Sequence, residues 1–297
     1  MLLLTAAFVW GLSFIFQSKG IEKVPPIAFN GIRSMLGAVV LLPVILLSDS
    51  SKAKGGQAIQ KTDKTLISGG IICGVFLCIA TTLQTVGMLE TSPGKAGFIT
   101  ALYMIVVPII NLFRGKKPTV IIAVSVLTAV SGLYFMCIPK GEFSLTKGDF
   151  LVLCCAFVFA GHILAIDNFA PRVDGVKLAC LQFFVCGLIN IIWMFFDEVP
   201  TLQVIADAKI DIAYAGIMSC GVAFTLQIIG QKYTDPTSAS ILMSLESVFA
   251  TLSTVVLTAL GWKLTGGMLS AREIFGCVLM FGAIMLVQIP DKKVNSI

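Results

Sequence analysis

Apolar residues occur along this chain in runs of about 20, the length of α-helix that crosses the roughly 30 Å hydrocarbon layer of a membrane. Each run is bounded by charged residues, Pro or Gly. Because lipid offers the backbone no hydrogen bonds, each run is predicted to form one transmembrane helix. The ten predicted spans are residues 2–17, 24–47, 65–89, 93–113, 118–138, 150–168, 176–196, 210–231, 236–260 and 272–289.

The composition supports this interpretation. Hydrophobic residues make up 57% of the chain and charged residues 12%, against about a quarter charged residues in soluble globular proteins. Because so few polar side chains could not cover a soluble surface, a soluble enzyme and a nucleic-acid-binding protein are both excluded. The sequence predicts an all-α integral membrane protein with one compact transmembrane domain. Its longest predicted connection is residues 48–64.

The distribution of basic residues predicts the orientation, because cytoplasmic loops are enriched in Lys and Arg. The chain has 21 Lys and Arg and 16 Asp and Glu, a net charge of +5. With the N-terminus inside, the inner segments contain twelve of the basic residues and the outer segments eight. We therefore expect both termini in the cytoplasm, and the protein in a plasma membrane of the bacterial inner-membrane type. The first span lacks a charged leader and a cleavage site, so we interpret it as a retained helix.

Two segments of the chain are similar to each other. Placing residues 80–102 over 223–245, an offset of 143, gives nine identities in 23 positions, where the biased composition alone would give roughly two. Residues 7–11 also align, more weakly, with 156–160. The sequence therefore predicts an internal repeat.

The repeat divides the chain into two five-helix units, residues 1–140 and 141–297. Because five is an odd number, the second unit must cross the membrane in the opposite direction to the first. Inverted repeats of this kind are typical of secondary transporters, whose substrate site lies near the middle of the membrane between the two repeats.

Spans four and nine begin with the same local signal. Ser92-Pro93 and Asp235-Pro236 each place a helix N-cap residue before a Pro at the first helical position. One interpretation is that these pairs are only sharp helix starts. The alternative is that they form the outer and inner gates of a transport pathway.

The repeated segments resemble a known family. Residues 91–103 (TSPGKAGFITALY), continuing to Pro108, resemble span four of EamA-type members of the drug/metabolite transporter superfamily. Residues 233–236 (YTDP) and 244–250 (SLESVFA) are similar to span nine of the same family. The resemblance covers the whole chain in the number and length of its spans. It implies transport of a metabolite or drug, commonly export, through a cavity lined by both repeats.

The chain departs from the family pattern in two places. The family usually has Pro after the acidic residue of span nine, where this chain has Ser247. An acidic residue often follows spans four and nine, where this chain has GKK at 115–117 and GWK at 261–263. These departures concern the details of gating and leave the predicted fold unchanged.

Charged and titratable residues within the spans are candidate functional residues, since a charge at this depth costs roughly 2.5–3.5 kcal/mol on insertion scales. Glu246 is predicted to lie about 15 Å deep and Arg33 about 13 Å deep. Glu246 is interpreted as a cavity-lining acid that couples transport to protons, or as a structural carboxyl group. Arg33 lines the cavity, or it has a structural role in which it snorkels to the surface, caps backbone carbonyl groups or pairs with Glu246. His162, the one histidine, aligns with Ser13, and both are candidate cavity residues. His162 is either packed or part of a proton relay.

Polar and aromatic residues complete the predicted cavity. Gln84 and Gln227 are equivalent in the repeat, and their amides either lock neighbouring helices or bind substrate. Trp10 and Tyr103 offer aromatic surface with a polar group that could hold an organic substrate, although membrane aromatics also serve as packing and interface anchors. Gly70 and Gly74, at small-xxx-small spacing, are predicted to allow close helix packing.

No pattern indicates a catalytic residue, a metal site or a cofactor. The nine cysteines lie in or beside spans with no CxxC pair, and the lone histidine has no metal-ligand spacing. An intramembrane enzyme would need paired ligands or a base beside a nucleophile. A secondary transporter is therefore the leading hypothesis, and a channel or lipid scramblase of the same architecture is the alternative.

The charges also bound the substrate. A phosphate-bearing substrate would call for several Arg or Lys in the spans, and Arg33 alone qualifies. We expect a neutral, zwitterionic or cationic small molecule, with amino acids and small amphipathic metabolites ahead of nucleotide sugars. The expected partners are this substrate, the lipid bilayer and either protons or an exchanged solute, with no nucleic acid.

Overall fold

The computed structural model describes residues 1–56, 62–115, 119–138, 146–262 and 270–289, and its regular elements there are all helical. The α-helices are α1 (Leu2–Ile21), α2 (Pro26–Lys54), α3 (Lys64–Gly87), α4 (Pro93–Ala101), α5 (Tyr103–Phe113), α6 (Val120–Cys137), α7 (Lys147–Phe169), α8 (Gly175–Met194), α9 (Leu202–Asp207), α10 (Lys209–Ala213), α11 (Thr225–Gln231), α12 (Pro236–Met243), α13 (Glu246–Ala259) and α14 (Ala271–Val287). A 3₁₀ turn (Ala170–Arg172) follows α7, and a π-helical segment (Tyr214–Phe224) joins α10 to α11.

Eight helical stretches in the described part of the chain are long and apolar enough to cross a membrane, so the protein is a multi-pass membrane protein. They are Leu2–Ile21, Pro26–Lys54, Lys64–Gly87, Pro93–Phe113, Lys147–Arg172, Gly175–Met194, Lys209–Gln231 and Pro236–Ala259. Helices α6 and α14 lie at the predicted fifth and tenth spans and are not among the eight. Pro118, the predicted start of the fifth span, and the predicted repeat boundary at 140/141 lie outside the described residues.

Helix α2 extends further than predicted, to Lys54 and not to residue 47. Its added turns are polar, and two ion pairs tie them to the beginning of α8. Lys52 Nζ lies 2.7 Å from Asp174 Oδ2, and Lys177 Nζ lies 2.8 Å from Asp49 Oδ2. Contacts with another helix therefore stabilise a helical end that hydrophobicity alone does not reveal.

The predicted starts of spans four and nine are confirmed. The Ser92 side chain accepts a hydrogen bond from the Lys95 backbone N–H, and Pro93 is the first residue of α4. The Asp235 side chain accepts hydrogen bonds from two backbone N–H groups, and Pro236 is the first residue of α12.

Both of these spans contain a short helix break near their middle, where the backbone stays right-handed helical but departs from the regular α-helical pattern that was predicted. The first break lies at Leu102, whose N–H donates to Ile99 O three residues back, as in a 3₁₀ turn. The second lies at Ser244 and Leu245, 143 positions beyond Leu102. There the Ser244 hydroxyl donates to the backbone carbonyl of Ile241, a local bond that competes with the α-helical pattern.

The helices pack closely where glycine removes the side chain. A Cβ atom at Gly74 would lie 2.7 Å from Val185 Cβ, and one at Gly70 would lie 2.4 Å from the Leu181 side chain. These positions place α3 directly against α8, which confirms the close packing predicted from the small-xxx-small spacing. The π-helical segment packs against α2 in the same way. A Cβ atom at Gly37 would lie 2.6 Å from Cys220 Cβ.

Candidate functional site

A central cavity lies among α1, α2, α3, the broken spans, α7, α11 and the π-helical segment. Its volume, counted as space for the centres of water molecules, is about 50 Å³, where one water needs about 10–15 Å³. The cavity is large enough for several waters or one small organic group. Its lining residues are Trp10, Phe14, Gln17, Arg33, Thr81, Gln84, Thr100, Tyr103, Phe159, Ile163, Ser219, Phe224, Gln227, Met243 and Glu246.

The cavity brings together six of the eight residues that the sequence placed in the substrate pathway. These six are Trp10, Arg33, Gln84, Tyr103, Gln227 and Glu246. The remaining two, Ser13 and His162, are fully buried and do not line it. Both lie directly behind residues that line the cavity. Ser13 accepts a hydrogen bond from Gln17, and the His162 ring contacts the Phe224 ring.

Glu246 and Tyr103 form a direct contact across the cavity. The Tyr103 hydroxyl lies 3.1 Å from Glu246 Oε1 and donates to it. The two residues are 143 positions apart, so they are equivalent in the repeat, and each is the first residue after a helix break. Both are nearly fully buried. Among the described residues, no basic side chain lies within 4.0 Å of the Glu246 carboxyl group.

Arg33 is held within the protein and does not snorkel to its surface, since the side chain is only 3% exposed. Its Nη1 donates to Gln17 Oε1 at 2.7 Å, and Gln17 Nε2 donates in turn to Ser13 Oγ at 3.1 Å. The Nε atom of Arg33 has no hydrogen-bond partner. Arg33 and Glu246 therefore line one cavity without forming an ion pair.

The two equivalent glutamines differ in their hydrogen bonds. Gln84 Nε2 donates to Thr100 Oγ1 at 3.0 Å and links α3 to α4. Gln227 Nε2 donates to Gln231 Oε1 at 2.9 Å within α11, and the Gln227 Oε1 atom is buried without a partner. Gln231 Nε2 links α11 to α7 through Ile163 O at 3.1 Å. Gln84 thus joins two helices, whereas Gln227 offers a free acceptor.

Several lining residues were missed by sequence reasoning. Gln17 carries the strongest missed signal, because it lies four residues after Ser13 and on the same helix face. Thr100 belongs to the motif that carries the family resemblance. Phe159 and Phe224 had no usable signal, since an aromatic residue in an apolar span is most often packed in the core.

The predicted gate residues lie near the ends of the bundle. Beside Ser92 and Pro93, Lys95 Nζ lies 2.6 Å from Asp149 Oδ2, and the Thr91 hydroxyl donates to Asp149 Oδ1 at 2.7 Å. These bonds tie the beginning of α4 to the beginning of α7. Within the described residues, no group of three or more His, Cys, Asp or Glu side chains could hold a metal ion.

The fold and the site define a multi-pass, all-helical membrane protein with a buried polar cavity. The chain belongs to the EamA-like transporter family, whose model matches residues 1–138 and 146–289. The resemblance noted in spans four and nine is thereby confirmed.

Relatives match along most of the chain. It is 27% identical over 284 residues to an Archaeoglobus fulgidus protein named "Uncharacterized transporter", covering 95% of this chain and 83% of that one. It is 20% identical over 285 residues to the Bacillus subtilis "Uncharacterized transporter YoaV", covering 94% of this chain and 92% of that one. A protein of known crystal structure shares the fold, with a TM-score of 0.75, 18% identity, and coverage of 99% of this chain and 98% of that one.

Proposed function

We propose that this protein is a secondary transporter that exports a small organic molecule by alternating access. The observation that carries the proposal is the cavity in which Arg33 and Glu246 are both buried without pairing with each other. A buried charge is costly unless it has a partner or a function. The family and the names of the relatives support transport in preference to catalysis.

We further propose ten spans arranged as two inverted repeats, residues 1–140 and 141–297. The packing supports this arrangement. Helix α2 contacts its repeat counterpart α8, and helix α6 contacts its repeat counterpart α14. The contact of α3 with α7 has its counterpart in the contacts of α1 with the π-helical segment and α11. This exchange of equivalent contacts is expected when two repeats are related by a two-fold axis.

The proposed substrate is a zwitterion such as an amino acid. Two lining donors, Trp10 Nε1 and Arg33 Nε, are buried without partners and suit a carboxylate. The Glu246 carboxyl group and the unpartnered Gln227 Oε1 are acceptors that suit an ammonium group. A neutral or cationic substrate would use only the two acceptors, the Glu246 carboxyl group and Gln227 Oε1.

Proton coupling is proposed to act through Glu246. A proton and a substrate ammonium group would compete for the same carboxylate, so protonation from outside would release substrate and deprotonation to the inside would allow the next molecule to bind. This sequence is proton–substrate exchange, with export of substrate against entry of protons. The predicted gate pairs, Ser92-Pro93 and Asp235-Pro236, lie at helix starts and are proposed to close the two ends in turn.

Transport in proteoliposomes tests this function. The wild-type protein should show saturable amino acid counterflow, which a channel would not show. An imposed pH gradient should drive uphill accumulation. Glu246→Gln should lose gradient-driven accumulation and keep exchange, whereas Glu198→Gln, an exposed carboxylate outside the cavity, should behave as wild type. Unchanged accumulation by Glu246→Gln would contradict proton coupling at this residue.

The orientation has its own test. We propose that both termini are cytoplasmic, in a plasma membrane of the bacterial inner-membrane type. Single cysteines introduced on a cysteine-free background at the exposed positions Lys54 and Glu198 should then react with an impermeant thiol reagent from opposite sides of the membrane. Labelling of both positions from one side would contradict the ten-span arrangement.

A further inference from the structure

His162 and Gln182 form a buried polar pair behind one wall of the cavity. Neither side chain is exposed, and His162 Nε2 lies 3.0 Å from Gln182 Oε1. The other polar atoms of the pair, His162 Nδ1 and Gln182 Nε2, have no hydrogen-bond partner. Buried polar atoms are nearly always hydrogen-bonded. Two unpaired atoms on one bonded pair therefore indicate a place where a further group completes the bonds.

The pair defines the chemistry of that group. Burial of an unpaired charge is costly, so the imidazole is uncharged and has one N–H and one bare nitrogen. If His162 Nε2–H donates to the amide oxygen, Nδ1 remains an acceptor and the Gln182 amide remains a donor. If the amide is turned over, Nδ1–H remains a donor and the amide oxygen an acceptor. Both arrangements leave one donor and one acceptor, which suits an uncharged hydroxyl or amide.

Aromatic rings separate this pair from the cavity. The Phe224 ring lies 6.1 Å from the His162 ring and 4.7 Å from Trp10, centroid to centroid. The Phe159 ring lies 6.4 Å from His162. Phe159, Phe224 and Trp10 all line the cavity. A single layer of side chains therefore lies between the cavity and the pair, and reorientation of the Phe224 ring would open the pair to the cavity.

We propose that His162 and Gln182 form a polar subsite, covered by Phe224, that binds an uncharged hydroxyl or amide group of the transported molecule. The proposal rests on the proposed function, because it takes the cavity to be the transport site. It adds that the substrate has a third polar group besides its charged ends. A buried water offers the same hydrogen bonds, so the experiment has to separate water from a substrate group.

The protein supplies its own probe, because His162 is its one histidine. Protein labelled with ¹⁵N-histidine and purified without a histidine tag should give the NMR signals of a single imidazole. Acetamide, which both donates and accepts, should shift these signals in a saturable manner. Propanone, which only accepts and can make one of the two hydrogen bonds, should need a higher concentration to do so.

Three variants sharpen this measurement. Gln182→Met, similar in size and without the amide, should lose the acetamide shift. Ser125→Ala should retain it, because Ser125 has an equally buried, unpartnered hydroxyl that lies on α6 and does not line the cavity. Phe224→Ala removes the cover, so it should bind acetamide severalfold more tightly. If acetamide shifts the imidazole in neither the wild type nor Phe224→Ala, the pair binds a buried water only, and the subsite is overturned.

Transport connects the subsite to the substrate. Threonine and valine differ mainly by a hydroxyl in place of a methyl group. The wild type should favour threonine by about tenfold, the order expected when a buried polar site loses its partner, and Gln182→Met should reduce this preference to about one. A threonine preference that Gln182→Met leaves unchanged would overturn the role in transport. An acetamide shift without any amino acid flux would contradict the proposed substrate class and not the subsite. Amino acid flux without an acetamide shift would contradict the subsite and not the proposed substrate class.

Discussion

The two halves of the molecule place the same backbone features around the cavity and equip them with different side chains. Each half has a span broken near its middle, and the first residue after the break is Tyr103 in one half and Glu246 in the other. Gln84 joins two helices, whereas its equivalent Gln227 leaves an acceptor free. Positions that are equivalent in the two similar segments thus carry polar groups that line one cavity, and the side chains at those positions differ in their hydrogen bonds.

The largest expected effect concerns Gly11, which aligns with Ala160 in the second half. A Cβ atom at Gly11 would lie 2.5 Å from Phe249 Cβ and 2.7 Å from the Glu246 carbonyl oxygen. Gly11→Ala makes the halves alike at this point and should lower the free energy of unfolding by about 1–3 kcal/mol, since overpacking pushes α1 away from α13. Thermal unfolding of the purified protein measures this. Gly94→Ala, where nothing lies within 4 Å, is the control, and equal stability of both variants would contradict the close contact.

The Tyr103–Glu246 pair tests the contact between equivalent residues. Tyr103→Phe leaves the buried Glu246 carboxyl group without its hydrogen bond and should cost about 1–3 kcal/mol of stability. The double variant Tyr103→Phe/Glu246→Gln should be less unstable than the sum of the single variants, with a coupling energy of about 0.5–3 kcal/mol. A double-mutant cycle by thermal or denaturant unfolding gives this value. Strict additivity would mean that the two side chains do not interact.

The equivalent glutamines should respond differently to one substitution. Gln84→Ala removes the hydrogen bond to Thr100 and should lower stability by about 1 kcal/mol, while the KM changes little. Gln227→Ala removes the hydrogen bond to Gln231 and should lower stability by a similar amount. It should also raise the KM for substrate several-fold, because the free acceptor of Gln227 is proposed to bind the substrate. Counterflow kinetics and thermal unfolding of each variant separate the two effects. Equal changes in KM for the two variants would contradict a functional difference between Gln84 and Gln227.

The smallest effect is expected where the halves meet at the ends of α2 and α8. Burial raises the pKa of Asp174, but hydrogen bonds from Lys52 and from two backbone N–H groups more than offset this, so its pKa lies below the ordinary value. A lowered folded-state pKa stabilises the protein above the ordinary carboxyl pKa, and this stabilisation is lost as the pH falls through the folded-state pKa. Asp174→Asn should lower stability by at most about 1 kcal/mol near neutral pH.

A pH series of melting temperatures checks that expectation. The difference between the wild type and Asp174→Asn should narrow as the pH falls below the ordinary carboxyl pKa. Glu198→Gln, an exposed carboxylate with no ion pair among the described contacts, is the control. A difference that stays constant down to the lowest pH would show that the substitution acts through packing and not through charge.

Local features of this protein could be predicted from its sequence. The apolar runs predict where helices lie, the caps at Ser92 and Asp235 mark two helix starts, and the spacing of Gly70 and Gly74 predicts a close helix contact. Each of these signals lies within a few residues. Depth in a span, repeat equivalence and aromatic side chains with a polar group indicated six residues that line one cavity.

Features that depend on tertiary contact could not be predicted. Arg33 was predicted either to line the cavity or to have a structural role, and it does line the cavity, but its hydrogen bond to Gln17 on a neighbouring helix had no signal in the sequence. The polar end of α2 is helical because it pairs with α8. The break at Leu102 lies inside an apolar run, so hydrophobicity gives no sign of it. The break at Ser244 and Leu245 lies beside Glu246 and Ser247, but polar residues alone do not show that a helix is interrupted.

The π-helical segment that ends at Phe224 contains more residues per turn than an α-helix of the same length. The span that runs from α10 to α11 therefore contains more residues than an α-helix of the same length. If this segment became α-helical, the extra residues would lengthen the span. The side chains at its end would then rotate about the helix axis, beginning with the Phe224 ring beside His162. A small axial movement at one end of this span would therefore rotate the side chains at the cavity wall.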